Sequence, residues 1–207
     1  PATSDNAEHD ALLAAVLSEL RLAKDSWEIE QLQAAVDATI LGFEDVARLL
    51  PADTATPERV LDGAFAWRAR VSGNELGYSS IVGGGPHSAI LHWSHNNGSI
   101  EPGHVVLMDM GVENVNCYTA DITRVLPVSG TFTRAQRDVY DIVYAARCAG
   151  IEAIAPSIAM RDVQQTCMRV LAEGLSGLGI LRGGVDEAMD PETTAYRRWT
   201  LHGFGHM

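Results

Sequence analysis

Two apolar runs constrain this chain more than any other feature, because each carries an aspartate beside residues that read as a buried strand. The first, Val105-Val106-Leu107-Met108, follows the turn "EPG" and runs straight into Asp109. The second, "YTADITRVLPV", is rich in β-branched residues and holds Asp121, with "ENVNC" as the turn between the two. A hairpin symmetric about Val115 sets the two carboxylates directly opposite on one face, with Cβ atoms about 4.5 to 5.5 Å apart, and like charges so placed destabilise a sheet. Such a pair persists if it shares a proton or a cation. In a slipped register, one aspartate instead faces solvent or caps a turn.

The histidines offer partners for a cation. His202 and His206 stand four apart in the closing "WTLHGFGHM". A helical zinc motif at that spacing needs a helix and a glutamate beside the first histidine; Gly203 and Gly205 interrupt here and no glutamate is present. Glycine-flanked histidines fit an extended or turning backbone with at most one ligand, or two loop histidines without a role. His92 follows an apolar stretch and reads as a core or a pocket residue, while His87 and His95 read as loop residues and His9 and His104 as surface or strand-edge positions. Carboxylates with one imidazole suit a hard or borderline ion such as Mn²⁺.

The rest of the chain supplies helices around these runs. Ala11 to Leu20 reads as helix, and Asp25 with Glu28 forms a capping-box signal before an apolar periodicity that ends at Pro51. Thr56 is expected to cap a third helix with Pro57 at its first position. "GYSSIVGGGPHSAILHW" reads as β-like with a glycine-rich break. Thr133 with Gln136 caps a helix up to Pro156, another helix runs from Arg161 to Leu175, and "LRGGVDEAMDPETTAYRRW" reads as a loop. The sum is one α+β domain without internal repeats.

Composition narrows the function. The 207 residues, 46% hydrophobic and 20% charged, suffice for one globular domain with a core. A net charge of -12 argues against nucleic acid and anionic lipid as partners. Cys117, Cys148 and Cys167 lack CxxC spacing and are odd in number, so they read as buried thiols of a reducing compartment, and a cytoplasmic location is expected. No run approaches the roughly 18 to 20 apolar residues of a membrane span, and "PATSDNAEHD" has no signal-peptide pattern. The missing initiator methionine points to a processed or excised piece.

In order and spacing, "GYSSIVGGGPHSAILHW", "VVLMDMGVENVNCYTADITRVLPVSGTFTRAQRDVYDIV" and "WTLHGFGHM" resemble the catalytic domain of Xaa-Pro aminopeptidases, in the pita-bread metallopeptidase family, from about Leu22 to the end. The shared features include the D-x-G…Y-x-x-D-x-T-R hairpin. The resemblance implies an antiparallel sheet flanked by helices and a pair of divalent metal ions, manganese by expectation. These activate a bridging water that attacks the bond between a first residue and a following proline. It further implies Asp109, Asp121 and His206 as metal ligands, Asp121 bridging both ions. His92 and His202 are implied as catalytic and substrate-binding residues, His92 near the scissile bond and His202 lining the proline pocket. Tyr78 falls where the family carries an active-site tyrosine and is implied as a further substrate-binding residue.

The same resemblance implies two glutamate ligands and a further histidine on later strands, so the fold is expected only in part, with three of five ligands inside the chain. Residues 1–22 then correspond to a linker helix from a missing N-terminal domain and residues 23–207 to a catalytic domain truncated at its C-terminal end. The fragment alone is expected to be inactive. A prolidase-type dipeptidase and, should Met207 be the true C-terminus, a non-catalytic binding module are the competing readings. A metal-free hydrolase on this fold has no need for both aspartates. A homo-oligomer is expected by analogy with the fold alone.

Overall fold

In the computed structural model, which describes residues 6–50, 53–193, 195–200, 203 and 205, three of the long helices begin on a side-chain cap. Asn6 accepts from the His9 N–H at the start of α1 (Ala7–Leu22), none of whose residues is buried. α2 (Ser26–Leu49) opens on a full capping box in which Asp25 accepts from the Glu28 N–H and Glu28 accepts from the Asp25 N–H. Its Ala35, Ala38, Gly42 and Val46 form one buried stripe.

α3 (Glu58–Ser72) does not start as expected. Pro57, not Thr56, is the N-cap, and no side chain caps the helix. The reason is non-local: Thr56 and Pro57 are drawn into a strand pair with Ser99 and Ile100, and the Glu58 N–H donates to the Gly98 carbonyl at 3.0 Å. A distant strand thus does what a local hydroxyl was expected to do.

The strands are β1 (Thr56–Pro57), β2 (Glu75–Leu76), β3 (Ile81–Gly84), β4 (Ser99–Ile100), β5 (Val105–Met110), β6 (Val112–Glu113) and β7 (Ile122–Pro127). β3, β5 and β7 form an antiparallel sheet with β5 in the middle, while β1 pairs with β4 and β2 with β6. Along β5, Val106, Met108 and Met110 are buried and Val105, Leu107 and Asp109 only partly so, the period of two that a one-sided sheet requires. The buried set meets Val46 of α2 and Leu61, Phe65 and Ala69 of α3 in the main core. Fully burying each such side chain stabilises by about 1.5 to 3 kcal/mol. Phe43 and Phe65 meet edge to face at 5.9 Å, and Gly42 admits the Phe65 ring where a Cβ would lie 2.5 Å from it. Helices thus cover one face of the sheet, and Asp109 belongs to the other.

The chain divides by its contacts into two compact units between Val128 and Ser129. The second unit begins with α4 (Arg134–Glu152), capped by a Thr133–Gln136 capping box, and continues with α5 (Met160–Gly177). Ala146, Cys167 and Met168 are buried between these helices. The segment expected to be a loop contains α6 (Gly184–Met189) and a 3₁₀ turn at Ala195–Arg198. α6 is short, is entered through Gly183 and Gly184 with φ of +91° and +83°, and depends on burying Ala188 against Ala172 and Leu181, none of which shows as a periodic pattern. No described helix is long and apolar enough to cross a membrane.

All three cysteines are free, but only Cys167 is buried and Cys148 is partly so. Cys117 corrects the expectation of three buried thiols. It sits exposed in the hairpin turn with φ +64°.

Candidate functional site

The hairpin sets the site, and its pairing is shifted by two residues from the symmetric expectation. Asp109 lies opposite Thr123, Met110 opposite Ile122 and Glu113 opposite Thr119, so the pairing is centred on Asn116 and not on Val115. Asp121, two residues before Thr123, therefore falls on the same face as Asp109 but diagonally, not directly across. The turn explains the shift. Asn114 is buried and its Oδ1 accepts from the N–H groups of Asn116 and Tyr118 at 2.9 and 3.0 Å, a side-chain-closed turn. Its Nδ2 donates to the Gln31 carbonyl, and the Tyr118 hydroxyl donates to Glu28 at 3.0 Å. The turn is thereby tied to the first two turns of α2.

A third residue joins the aspartates. The Tyr78 hydroxyl lies 2.6 Å from Asp109 Oδ1 and 3.2 Å from Asp121 Oδ1. It has a single hydrogen to donate, so two acceptors compete for one proton. Gly111 makes the approach available: a Cβ there would lie 2.9 Å from the Tyr78 ring and 1.7 Å from the Ala120 carbonyl oxygen. Burial first, and then the hydrogen bond and charge of Asp109 and the charge of Asp121, push the Tyr78 phenol far above its ordinary pKa. The group is a donor at neutral pH.

His92 stands exposed with φ +54° on the loop that joins β3 to β4. A left-handed conformation is uncommon outside glycine, though histidine adopts it more readily than most residues, and the loop around it is held from elsewhere. Two buried groups hold it. Asn96 accepts from the Val82 N–H and donates to the Ser80 carbonyl, both at 2.9 Å. Glu58, with no exposed surface, accepts four hydrogen bonds: from Gly84 N and His87 Nδ1 at 2.9 and 2.8 Å, and from Trp93 Nε1 and Gly98 N at 2.9 and 2.8 Å. Burial alone would raise its pKa, but the donors from Gly84, Trp93, Gly98 and His87 outweigh it and hold the carboxyl below its usual range. His87 was expected in a plain loop. It lies in a 3₁₀ turn (Gly85–Ala89), and its ring stacks on Trp93 at 3.9 Å.

Of the expected site residues, the structure gathers Tyr78, Asp109 and Asp121. His92 is placed on its anchored loop, and His202 and His206 lie outside the described residues. Two carboxylates on one face, Asp109 partly buried and Asp121 exposed, form an acceptor-rich oxygen set of the kind that hard divalent cations take. Among the described residues, no three His, Cys, Asp or Glu side chains are grouped so as to hold a metal ion. The pair therefore fits a metal as part of a larger donor set. Glu58 escaped the sequence reading because an acidic residue in a first helical turn ordinarily just complements the helix dipole. Its one distinguishing sign is its place directly after Pro57 among residues that are otherwise apolar on that face.

Comparison with known proteins identifies the family and the fold. Residues 30–207 match the model of metallopeptidase family M24. The chain is 49% identical over 201 residues to Xaa-Pro aminopeptidase 1 of Streptomyces coelicolor, covering 97% of this chain and 40% of that protein. It is 46% identical over 206 residues to Xaa-Pro aminopeptidase 2 of the same organism, covering 100% of this chain and 43% of that protein. Its fold matches a glutamate-to-alanine variant of Escherichia coli aminopeptidase P in complex with substrate, with a TM-score of 0.82 and 33% identity over 88% of this chain and 41% of that one. The chain thus spans about two fifths of the length of the relatives it matches. The mixed helix-and-sheet architecture is the pita-bread fold of those enzymes in part, and the chain belongs to metallopeptidase family M24.

Proposed function

We propose that the whole protein is a metal-dependent exopeptidase that removes the first residue from peptides with proline in second position. The observation that carries this reading is the convergence of Asp109 and Asp121 on the Tyr78 hydroxyl in a chain of family M24. The relatives named Xaa-Pro aminopeptidase support the substrate class.

In this reading Asp109, Asp121 and His206 would hold the divalent metal. Manganese suits a set of carboxylates with one imidazole. When bound, the metal supplies Lewis-acid polarisation of the scissile carbonyl and makes water acidic enough to be a nucleophile near neutral pH. The Tyr78 hydroxyl fixes the orientation of the two carboxylates by donating to them. His92 contacts the substrate near the scissile bond, and His202 lines the pocket for the proline ring. Residues 1–22 serve as a linker helix and residues 23–207 as part of the catalytic domain. Three free cysteines support a cytoplasmic setting.

The test offers the whole protein, with Mn²⁺, an Xaa-Pro dipeptide and a longer peptide with proline in second position. Release of the first residue from the longer peptide is expected. Cleavage confined to the dipeptide replaces this reading with a prolidase-type dipeptidase, and cleavage of neither removes it.

A further inference from the structure

The loop that carries His92 is organised by one carboxylate outside the metal-binding pair. Glu58 reaches the loop at four points: both ends, Gly84 and Gly98, and two interior residues, His87 and Trp93. Its own N–H is engaged with the same segment through the Gly98 carbonyl. Trp93 directly follows His92 in the chain, and its ring is clamped from one side by His87, which the same carboxylate holds. Gly98 is bare because a Cβ there would lie 2.4 Å from the His87 ring and 3.1 Å from Glu58 Oε1.

The four bonds are divided two to each oxygen: Oε1 takes Gly84 and His87, and Oε2 takes Trp93 and Gly98. Only a group with lone pairs on both atoms and no hydrogen satisfies that arrangement. A glutamine has the same shape, yet in either orientation its NH₂ faces two donors. Turned toward Oε1 it finds an acceptor only if His87 moves its proton to Nε2, and the Gly84 N–H is still left unpaired. An aspartate is one methylene too short to span the four donors from the same backbone.

We propose that Glu58 is a positioning residue of the active centre, a buried carboxylate that gathers Gly84, His87, Trp93 and Gly98 and so fixes His92 on its left-handed backbone. This rests on His92 being the substrate-contacting residue of the proposed function. Glu58 acts through His92 and not through the Asp109–Asp121 pair, which is oriented by Tyr78. Disturbing it leaves metal binding intact and lowers turnover, because small misplacement of a catalytic group can cost on the order of 100-fold in rate.

The test is a double-mutant cycle in the whole protein, Glu58→Gln with and without His92→Ala, read as kcat and KM for a peptide with proline in second position and as Mn²⁺ binding. Glu58→Gln is expected to lower kcat by about 10- to 100-fold with Mn²⁺ binding unchanged. In the His92→Ala background the further fall is expected to be under about threefold, the mark of residues acting as a unit. An equal fall in both backgrounds, or no fall, overturns the proposal. Trp93→Phe removes one of the four donors while keeping a ring for His87 to stack on. It serves if Glu58→Gln does not fold, with a smaller fall that again vanishes without His92. A readout independent of activity separates this proposal from the proposed function: in ¹⁵N-histidine-labelled protein, the His92 imidazole resonance shifts or broadens in Glu58→Gln or Trp93→Phe. An unmoved His92 signal overturns the positioning role whatever the protein cleaves.

Discussion

Asp109 and Asp121 share a face of the hairpin but sit two residues out of direct register, and the Tyr78 hydroxyl closes the space between them at 2.6 and 3.2 Å. One hydrogen therefore serves two carboxylates. Tyr78→Phe keeps the ring beside Gly111 and removes that hydrogen. Losing a charge-assisted hydrogen bond at a partly exposed site is expected to cost about 1 to 2 kcal/mol at neutral pH, read from urea unfolding. Unchanged stability in the variant would show that the hydroxyl does not hold the pair.

Gly111→Ala tests the same geometry from the backbone side. The added methyl meets the Ala120 carbonyl and the Tyr78 ring, so either the hairpin or the tyrosine must move. Overpacking of this kind costs about 1 to 3 kcal/mol. Thermal unfolding is expected to fall accordingly, with Tyr78 displaced from Asp109. Wild-type stability would contradict the close approach.

Asn114→Ala removes the side chain that closes the hairpin turn and joins it to Gln31. Two N–H groups lose their acceptor, and each unpaired group costs about 1 to 3 kcal/mol where it is buried. Reduced stability and faster amide exchange at Asn116 and Tyr118 are expected.

Asp45 governs part of the acid limb. The hydrogen bond from Arg68, which outweighs the opposing effect of burial and is joined by the charges of Arg68 and Arg48, holds the Asp45 carboxyl below its ordinary value. A depressed folded-state pKa contributes stability that is present above the unfolded value and is lost as pH falls through the folded one. Urea midpoints should therefore decline as pH drops below the ordinary aspartate range, and Asp45→Asn should flatten that decline. An equally steep acid limb in Asp45→Asn would assign it to other carboxylates.

How much of this was legible in the sequence follows from how local each cause is. The capping boxes at Asp25–Glu28 and Thr133–Gln136 were readable because both partners lie within one helical turn. The two aspartates on one face were readable from the period of two, but their offset was not, because Asn114 and its ties to α2 set the register from outside the strands. Thr56 failed as a cap because β4, more than forty residues on, claimed it. Glu58 was passed over for the same reason, since its partners lie 26 to 40 residues away.

The central claim is that Asp109 and Asp121 serve a metal-dependent cleavage ahead of proline. Release of the first residue from a peptide with proline in second position is measured on the whole protein with Mn²⁺, after chelation, and in Asp121→Asn. Release that needs the metal and falls at least 100-fold in Asp121→Asn is the expected result, in line with the several kcal/mol a metal site contributes to catalysis. No release with any divalent metal, or full activity in Asp121→Asn, would contradict it.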